Sequence, residues 1–358
     1  MHLYIHAPFC ARRCSYCDFA IAVRKNVPVQ QYVDCIRREM EMASLADSST
    51  IYFGGGTPSL LPAAAIAAIL PAHGDCEVTL EANPDDVTPD KAAAWRAAGV
   101  NRISLGAQSF SDKALQWMHR THDATRIGAA VETLKRAGIT NISLDLIFAL
   151  PVELERDWPR DLDRAIALAP AHLSLYGLTV EARTPLARWI SRGASSAPDD
   201  DRYADEYLLA HERLAAAGYH FYEVSNAARD GHRSQHNSAY WSGRPYTGLG
   251  PAAHSFDGHT RRWNLAAWEA YRRAITAGRS PVESEELLTS AQRRIEDIYL
   301  ALRTERGLDA TVCPPDRVAA WRHAGWITVR DGRVVCTPEG WLRLDALVRD
   351  LTGAPEAA

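Results

Sequence analysis

Lysine is almost absent from this 358-residue chain. It stands only at positions 25, 91, 113 and 135, and the other basic residues are arginines. The net charge of −4 gives no global positive field to draw in nucleic acid or an anionic membrane. No run approaches the ~20 uninterrupted apolar residues that a membrane helix needs. Met1 leads directly into "HLYIH", with no basic start, signal-type apolar run or small-residue cleavage site. The expectation is a cytoplasmic protein that reaches membranes, if at all, only through partners. A second close pair of cysteines is also missing, which counts against a closed four-thiolate zinc site.

Hydrophobic residues make up 47% of the chain and charged residues 23%, enough apolar material for a sizeable core. The length suits one barrel plus a smaller attachment. Seven cysteines are an odd number, and three crowd "HAPFCARRCSYCDF", His6 to Phe19. In a reducing compartment that pattern points to a metal centre or a reactive thiol, not to disulfides. Thiolates suit zinc, copper(I) and iron–sulfur clusters. Zinc would need a fourth ligand, for which His6 is the candidate, because Cys35, Cys76, Cys313 and Cys336 are scattered. A 4Fe–4S cluster on three thiolates leaves one iron open to the amine and carboxylate of a small molecule, and this reading is favoured.

Short β-branched runs alternate with amphipathic ones. Strands are expected at 3–6, 50–53, 76–84, 100–110, 140–151 and 171–179. Helices are expected at 28–46, 62–70, 88–99 (with Thr88 as N-cap and Gly99 past its end), 112–118, 124–137 and 155–168. Six strand–helix alternations require parallel pairing, and the strands read as apolar throughout, as if buried on both faces. A closed or partly closed α/β barrel fits best, with an open doubly wound sheet as the alternative. Either places the chemistry at the strand carboxyl ends. The cysteines, "GGGTP", Glu81, Gln108 and Asp145 all fall there.

Beyond 180 a polar loop precedes a helix at 202–217 and a possible strand at 219–226. A Gly/Pro/aromatic-rich stretch follows at 236–256. From 287 the pattern is helix (289–304), helix (315–324), a hairpin turning on Asp331–Gly332, and a last helix (338–350). This is winged-helix-like, but its mixed charge argues for packing and not for nucleic-acid binding. The expected division is a barrel at 1–225, a connecting segment at 226–286 and a C-terminal module at 287–358.

Cys10-x3-Cys14-x2-Cys17 at the end of a first barrel strand resembles the radical S-adenosylmethionine (SAM) signature. "LYIHAPFCARRCSYCDF", "IYFGGGTPSLL", "LEANPDD", "GVNRISLGAQSF" and "LDLIFALP" together resemble the HemN/HemW group of that superfamily over nearly the whole chain. The resemblance implies a partial (β/α)6 TIM-like barrel with a helical/winged C-terminal module. It implies that Cys10, Cys14 and Cys17 ligate a 4Fe–4S cluster. It also implies that Tyr4, Gly54, Gly55, Gly56, Thr57, Glu81, Gln108, Arg120 and Asp145 contact SAM. A glycine run lets backbone amides approach a carboxylate. Two positions depart from the group, which often has glycine where Ala149 stands and a glycine or other small residue where His119 stands.

Three features point to the HemW side of the group. Phe19 stands where HemN-type oxidases have a further cysteine, and the first strand begins by Leu3, without the oxidases' N-terminal extension. "HNSAYW" (236–241) fits the HNxxYW motif of HemW-type proteins, whose histidine is a haem ligand, so His236 is the candidate here. His254 is the weaker candidate. The resemblance thus implies a haem chaperone that binds haem, one cluster and SAM and delivers haem to acceptor haemoproteins, with a homodimer among its assemblies. The alternatives are an oxygen-independent coproporphyrinogen III oxidase and a non-catalytic binding module stabilised by zinc or a cluster.

Overall fold

The computed structural model describes residues 1–353 apart from 44 and 46. The last positions of the helix expected over 28–46, and residues 354–358 of the expected C-terminal module, thus lie partly or wholly outside the described residues. Six strands form the centre: β1 (His2–Ala7), β2 (Thr50–Gly55), β3 (Glu77–Ala82), β4 (Arg102–Gln108), β5 (Asn141–Phe148) and β6 (His172–Gly177). Each pairs in parallel with the next in chain order. This order never reverses, so there is no switch point and the sheet curls in one sense, as a barrel and not as a doubly wound sheet.

The crossovers are α1 (Val29–Ala43), α2 (Ala63–Ile69), α3 (Pro89–Ala97), α4 (Asp112–Trp117), α5 (Ala124–Arg136) and α6 (Trp158–Ala167). Helix α3 starts and stops as its ends predict. Thr88 accepts a hydrogen bond from the Lys91 amide, and Gly99 follows the helix at φ 106°.

The expectation of strands apolar on both faces is corrected by a strict alternation. Leu3, Ile5, Ile51, Phe53, Val78 and Leu80 are fully buried on one face. In between, His2, Tyr4, His6, Thr50, Tyr52, Glu77 and Glu81 lie in the sheet with period two, and all but Glu77, which accepts from the His236 amide, contact others of the set. The apolar face is core; the polar face is the barrel lumen. A lumen that receives a polar ligand cannot be lined with leucine, and this separates the barrel from a sheet covered by helices on both sides.

The chain then adds α7 (Pro185–Ser191), α8 (Asp200–Ala216), β7 (His220–Glu223), β8 (Asn226–Ala228) and α9 (Gln235–Trp241). Next come β9 (Tyr246–Leu249), β10 (His254–Phe256), β11 (Thr260–Asn264), α10 (Trp268–Thr276) and β12 (Val282–Leu287). Strand β9 returns to pair in parallel with β1, and β10, β11 and β12 extend the sheet antiparallel from it. The segment 226–286, expected as a connection, therefore supplies strands to both ends of the main sheet. Among the described residues that sheet has twelve strands, ordered β12-β11-β10-β9-β1-β2-β3-β4-β5-β6-β8-β7. Its outer strands do not pair with each other, so the barrel is partial.

The remainder comprises α11 (Ser290–Arg303), β13 (Leu308–Asp309), α12 (Pro315–His323), β14 (Ile327–Arg330), β15 (Arg333–Cys336), α13 (Pro338–Trp341) and α14 (Leu344–Thr352). The β14–β15 hairpin turns on Asp331 and Gly332, both at positive φ, as the Asp-Gly pair predicts. Among the described residues no helix is long and apolar enough to cross a membrane.

Candidate functional site

The cysteine loop leaves the carboxyl end of β1 and is pinned to the end of β2. The Gly56 amide donates to the Ala7 carbonyl and the Thr57 amide to the Phe9 carbonyl, each at 2.8 Å. Cys10, Cys14 and Cys17 are free thiols that line one cavity of about 420 Å³, a volume in the range of small-molecule sites. Gly55, Gly56, Thr57, Glu81, Gln108, Arg120 and Asp145 line it with them. The residues expected at strand ends thus converge, although they are scattered along more than a hundred positions of the sequence.

Two residues expected to contact SAM do not line it. Tyr4 lies deeper in the lumen, its hydroxyl 3.1 Å from His6 Nδ1 and its ring stacked on Tyr52. Gly54 is enclosed by those tyrosines; a Cβ there would meet Tyr52 at 2.8 Å and Tyr4 at 2.9 Å. Gly55 needs its lack of side chain more acutely. It has φ 109°, and a Cβ would strike the His6 ring at 2.5 Å.

His236 is only 1% exposed and lies at the amino-terminal end of the barrel strands. Its Nδ1 is 2.8 Å from Thr50 Oγ1 and its Nε2 is 2.9 Å from the Tyr240 hydroxyl, so both nitrogens are engaged. Burial lowers its pKa to about 3, which keeps the ring neutral. His254, the weaker candidate, is an exposed residue stacked on Trp263.

The electrostatics of the cavity are set by burial. Glu81 accepts from the Tyr52 hydroxyl at 2.8 Å and the Gly55 amide at 3.1 Å, yet loss of water pushes its carboxyl up to about 7. Asp145 accepts from Ser104 at 2.9 Å and Ser143 at 3.2 Å and is pushed up to about 6 for the same reason. Arg120 donates to Asn83 Oδ1 at 2.5 Å and to the Gly106 carbonyl at 2.8 Å, and its second terminal nitrogen lies 3.7 Å from Cys14 Sγ. Burial raises the Cys10 thiol and takes Cys17 to about 11. A cationic centre would stabilise the thiolates and offset the half-buried carboxylates.

The thiols fit a cluster better than a single ion. Among the described residues no three Cys, His, Asp or Glu side chains converge on one ion, whereas a cubane gives each thiolate its own iron. His6, the candidate fourth zinc ligand, has both nitrogens engaged, by Tyr4 and by the Ala20 carbonyl at 3.2 Å, and burial lowers its pKa to about 4.

Tyr16, Asn83, Ser104 and Tyr176 are among the lining residues not foreseen as site residues. Asn83 follows Glu81 in "LEANPDD", so its place after a strand end was a usable signal; Ser104 and Tyr176 needed the period-two alternation. The two departures from glycine also find their reason. Ala149 has φ 57° and His119 φ 59°, in the left-handed region that favours glycine.

The Radical SAM superfamily profile matches residues 4–165. The chain is 38% identical to the heme chaperone HemW of Mycobacterium tuberculosis, over 98% of this chain and 94% of that one. It is 39% identical to the heme chaperone HemW of Escherichia coli, over 71% and 69%. The coproporphyrinogen III oxidase HemN of Escherichia coli superposes with a TM-score of 0.82 at 22% identity, covering 98% of this chain and 89% of that chain, which shows the shared fold. With that fold, the three-cysteine cavity and similarity along its whole length, the chain belongs to the HemW family of the radical SAM superfamily.

Proposed function

We propose that this chain is a haem chaperone: it binds haem, holds one 4Fe–4S cluster with SAM, and delivers haem to acceptor haemoproteins. The observation that carries the reading is the cavity itself. Three free thiols and two half-buried carboxylates face one space in a chain that matches heme chaperones over nearly its whole length.

Cys10, Cys14 and Cys17 would hold the cluster, and Glu81, Gln108, Arg120, Asp145 and the Gly55–Thr57 backbone would hold SAM. When bound, the cluster supplies an iron with no protein thiolate, to which the amine and carboxylate of SAM can bind. Thr57 Oγ1 donates to Cys10 Sγ at 3.4 Å and would stabilise its thiolate. Arg120 faces Cys14 and neutralises negative charge there. Glu81 and Asp145 offer negative charge to the ammonium and sulfonium of SAM. Phe19, 58% exposed, leaves this part of the rim apolar. Ligation of haem by His236 would require its hydrogen bonds to Thr50 and Tyr240 to open.

The test is anaerobic reconstitution of the full chain with iron and sulfide. Haem is then titrated in, and a parallel sample receives coproporphyrinogen, SAM and reductant. The expected outcome is stoichiometric haem binding with no decarboxylated product; a vinyl-bearing product formed with SAM cleavage would make the chain an oxidase. Cys14→Ala is expected to abolish the cluster absorbance, and an unchanged spectrum would remove the cluster assignment.

A further inference from the structure

We propose that Thr50 and His2 are positioning residues for the haem ligand His236. A one-way relay of hydrogen bonds from Tyr240 to His2 holds the His236 proton on Nδ1 and leaves the Nε2 lone pair for iron. The inference rests on the haem-binding reading above and names what prepares its ligand.

Four side chains form the relay at the amino-terminal end of the barrel. The Tyr240 hydroxyl is 2.9 Å from His236 Nε2. His236 Nδ1 is 2.8 Å from Thr50 Oγ1, and Thr50 Oγ1 is 2.9 Å from His2 Nδ1. The strand register brings them together. His2 and Thr50 stand opposite each other on β1 and β2, and the His236 ring of α9 lies 6.5 Å from that of His2.

Counting protons sets the direction. Burial lowers the pKa of both rings, so each is neutral and carries one ring hydrogen. Each hydroxyl also has one hydrogen to place. Among the described residues the Tyr240 hydroxyl has no hydrogen-bond partner but His236, and the Thr50 hydroxyl has none but the two histidines. With the His236 hydrogen on Nε2, that nitrogen would donate to Tyr240, and the Tyr240 hydrogen would be left without an acceptor. In the opposite direction every donor is used. Tyr240 donates to Nε2, Nδ1 donates to Thr50, and Thr50 donates to His2 Nδ1. The last hydrogen, on His2 Nε2, needs only water. His2 is 8% exposed and lines a cavity of about 320 Å³ that the exposed residues Arg233, Gln235, Ser242 and Arg244 border.

The direction matters to iron. A ligating histidine gives a lone pair from one nitrogen while an acceptor holds the N–H of the other, which fixes tautomer and ring orientation. Thr50 is that acceptor, and it is free to accept because its own hydrogen goes to His2. The Tyr240 hydroxyl caps the lone pair that iron would take. Both bonds of the ring open as haem enters; with iron on Nε2, the bond to Thr50 re-forms and the bond to Tyr240 does not.

The experiment first reads the tautomer, by long-range proton–nitrogen correlation spectra of the haem-free full chain carrying isotope-labelled histidine. His236→Ala assigns the signal. Wild type is expected to show His236 protonated on Nδ1, and Thr50→Val and His2→Leu to move the proton to Nε2. Thr50→Ser keeps the hydroxyl and His2→Asn keeps an acceptor for it, so both should hold the proton on Nδ1. Ferric haem is then titrated into the same chains after anaerobic reconstitution. Affinity, Soret position and low-spin electron paramagnetic resonance are read, with cluster absorbance as the folding control. Thr50→Val and His2→Leu are expected to bind haem more weakly by about tenfold or more, and Thr50→Ser and His2→Asn to bind it nearly as wild type does. If the wild-type proton lies on Nε2, or if Thr50→Val binds haem as tightly as wild type, the relay is overturned while the chaperone reading stands. If wild type binds no haem, the chaperone reading falls and the relay's role falls with it.

Discussion

Glu81 and Asp145 show how one residue's surroundings set what it can hold. Both are half-buried carboxyls, pushed up to about 7 and about 6 by lost hydration. The signs of two linked effects follow. A folded-state pKa above the unfolded one means that the folded chain binds more protons, so this contribution to stability is lost as pH rises through the folded pKa. A cationic ligand behaves oppositely, because it binds the ionised carboxylates and competes with the proton. SAM affinity, measured by equilibrium dialysis on the reconstituted chain, is therefore expected to tighten between about pH 6 and about pH 8, the window these raised values define. Glu81→Gln should flatten that rise. A pH-independent affinity in wild type would mean that neither carboxylate faces the cation.

Elements in this fold are joined by buried polar clips that have no local sequence signature. Glu39 on α1 is the main example. It accepts from the Gly250 amide at 2.7 Å, Asn264 Nδ2 at 2.6 Å and the Tyr271 hydroxyl at 2.6 Å, tying α1 to the loop after β9, to β11 and to α10. Glu39→Ala strands three buried donors, each worth about 1–3 kcal/mol, so denaturant unfolding should show a loss of about 3 kcal/mol or more. Burial raises the Glu39 carboxyl to about 7. Its contribution is thus complete below the ordinary carboxyl range and lost as pH rises through 7, and the pH dependence of Glu39→Gln should be flatter than wild type across that window. Equal slopes would show that the carboxyl does not titrate in the fold.

The same contacts explain what could be read in advance. The six barrel strands and their crossovers were legible because apolar period and caps are local, as at Thr88 and Asp331–Gly332. The cysteines and strand-end polar residues were legible because each sits at a fixed offset from such an element. Strands β9 to β12 were not. "YTGL", "HSF", "TRRWN" and "VESEEL" carry few buried apolar residues, and β12 is almost wholly exposed. They are strands because β1 offers β9 a paired edge, a tertiary cause that local propensity does not record.

At the scale of the whole molecule, a buried ion pair is one of the contacts that fasten the chain from α11 onward to the barrel. Arg303, the last residue of α11, forms an ion pair with Glu223 of β7 at 2.9 Å, and its guanidinium lies 4.1 Å from the centre of the Trp241 ring of α9. Backbone bonds run beside it, from the Val224 amide to the Arg303 carbonyl and from the Glu305 amide to the Tyr222 carbonyl, each at 3.1 Å. Glu223 is fully buried and also accepts from Asn226. Removing Arg303 leaves that carboxylate without its cation, a change of about 3–5 kcal/mol in buried pairs. It also frees the ring of Trp241 in the HNxxYW segment. Arg303→Ala is therefore expected to loosen the sheet edge, α9 and the module together, giving faster limited proteolysis within 287–353 and a lower unfolding temperature. Arg303→Lys keeps the charge but loses the planar fork and the stacking, and should fall between the two. If Arg303→Ala is cut no faster than wild type, the ion pair is dispensable for holding this segment.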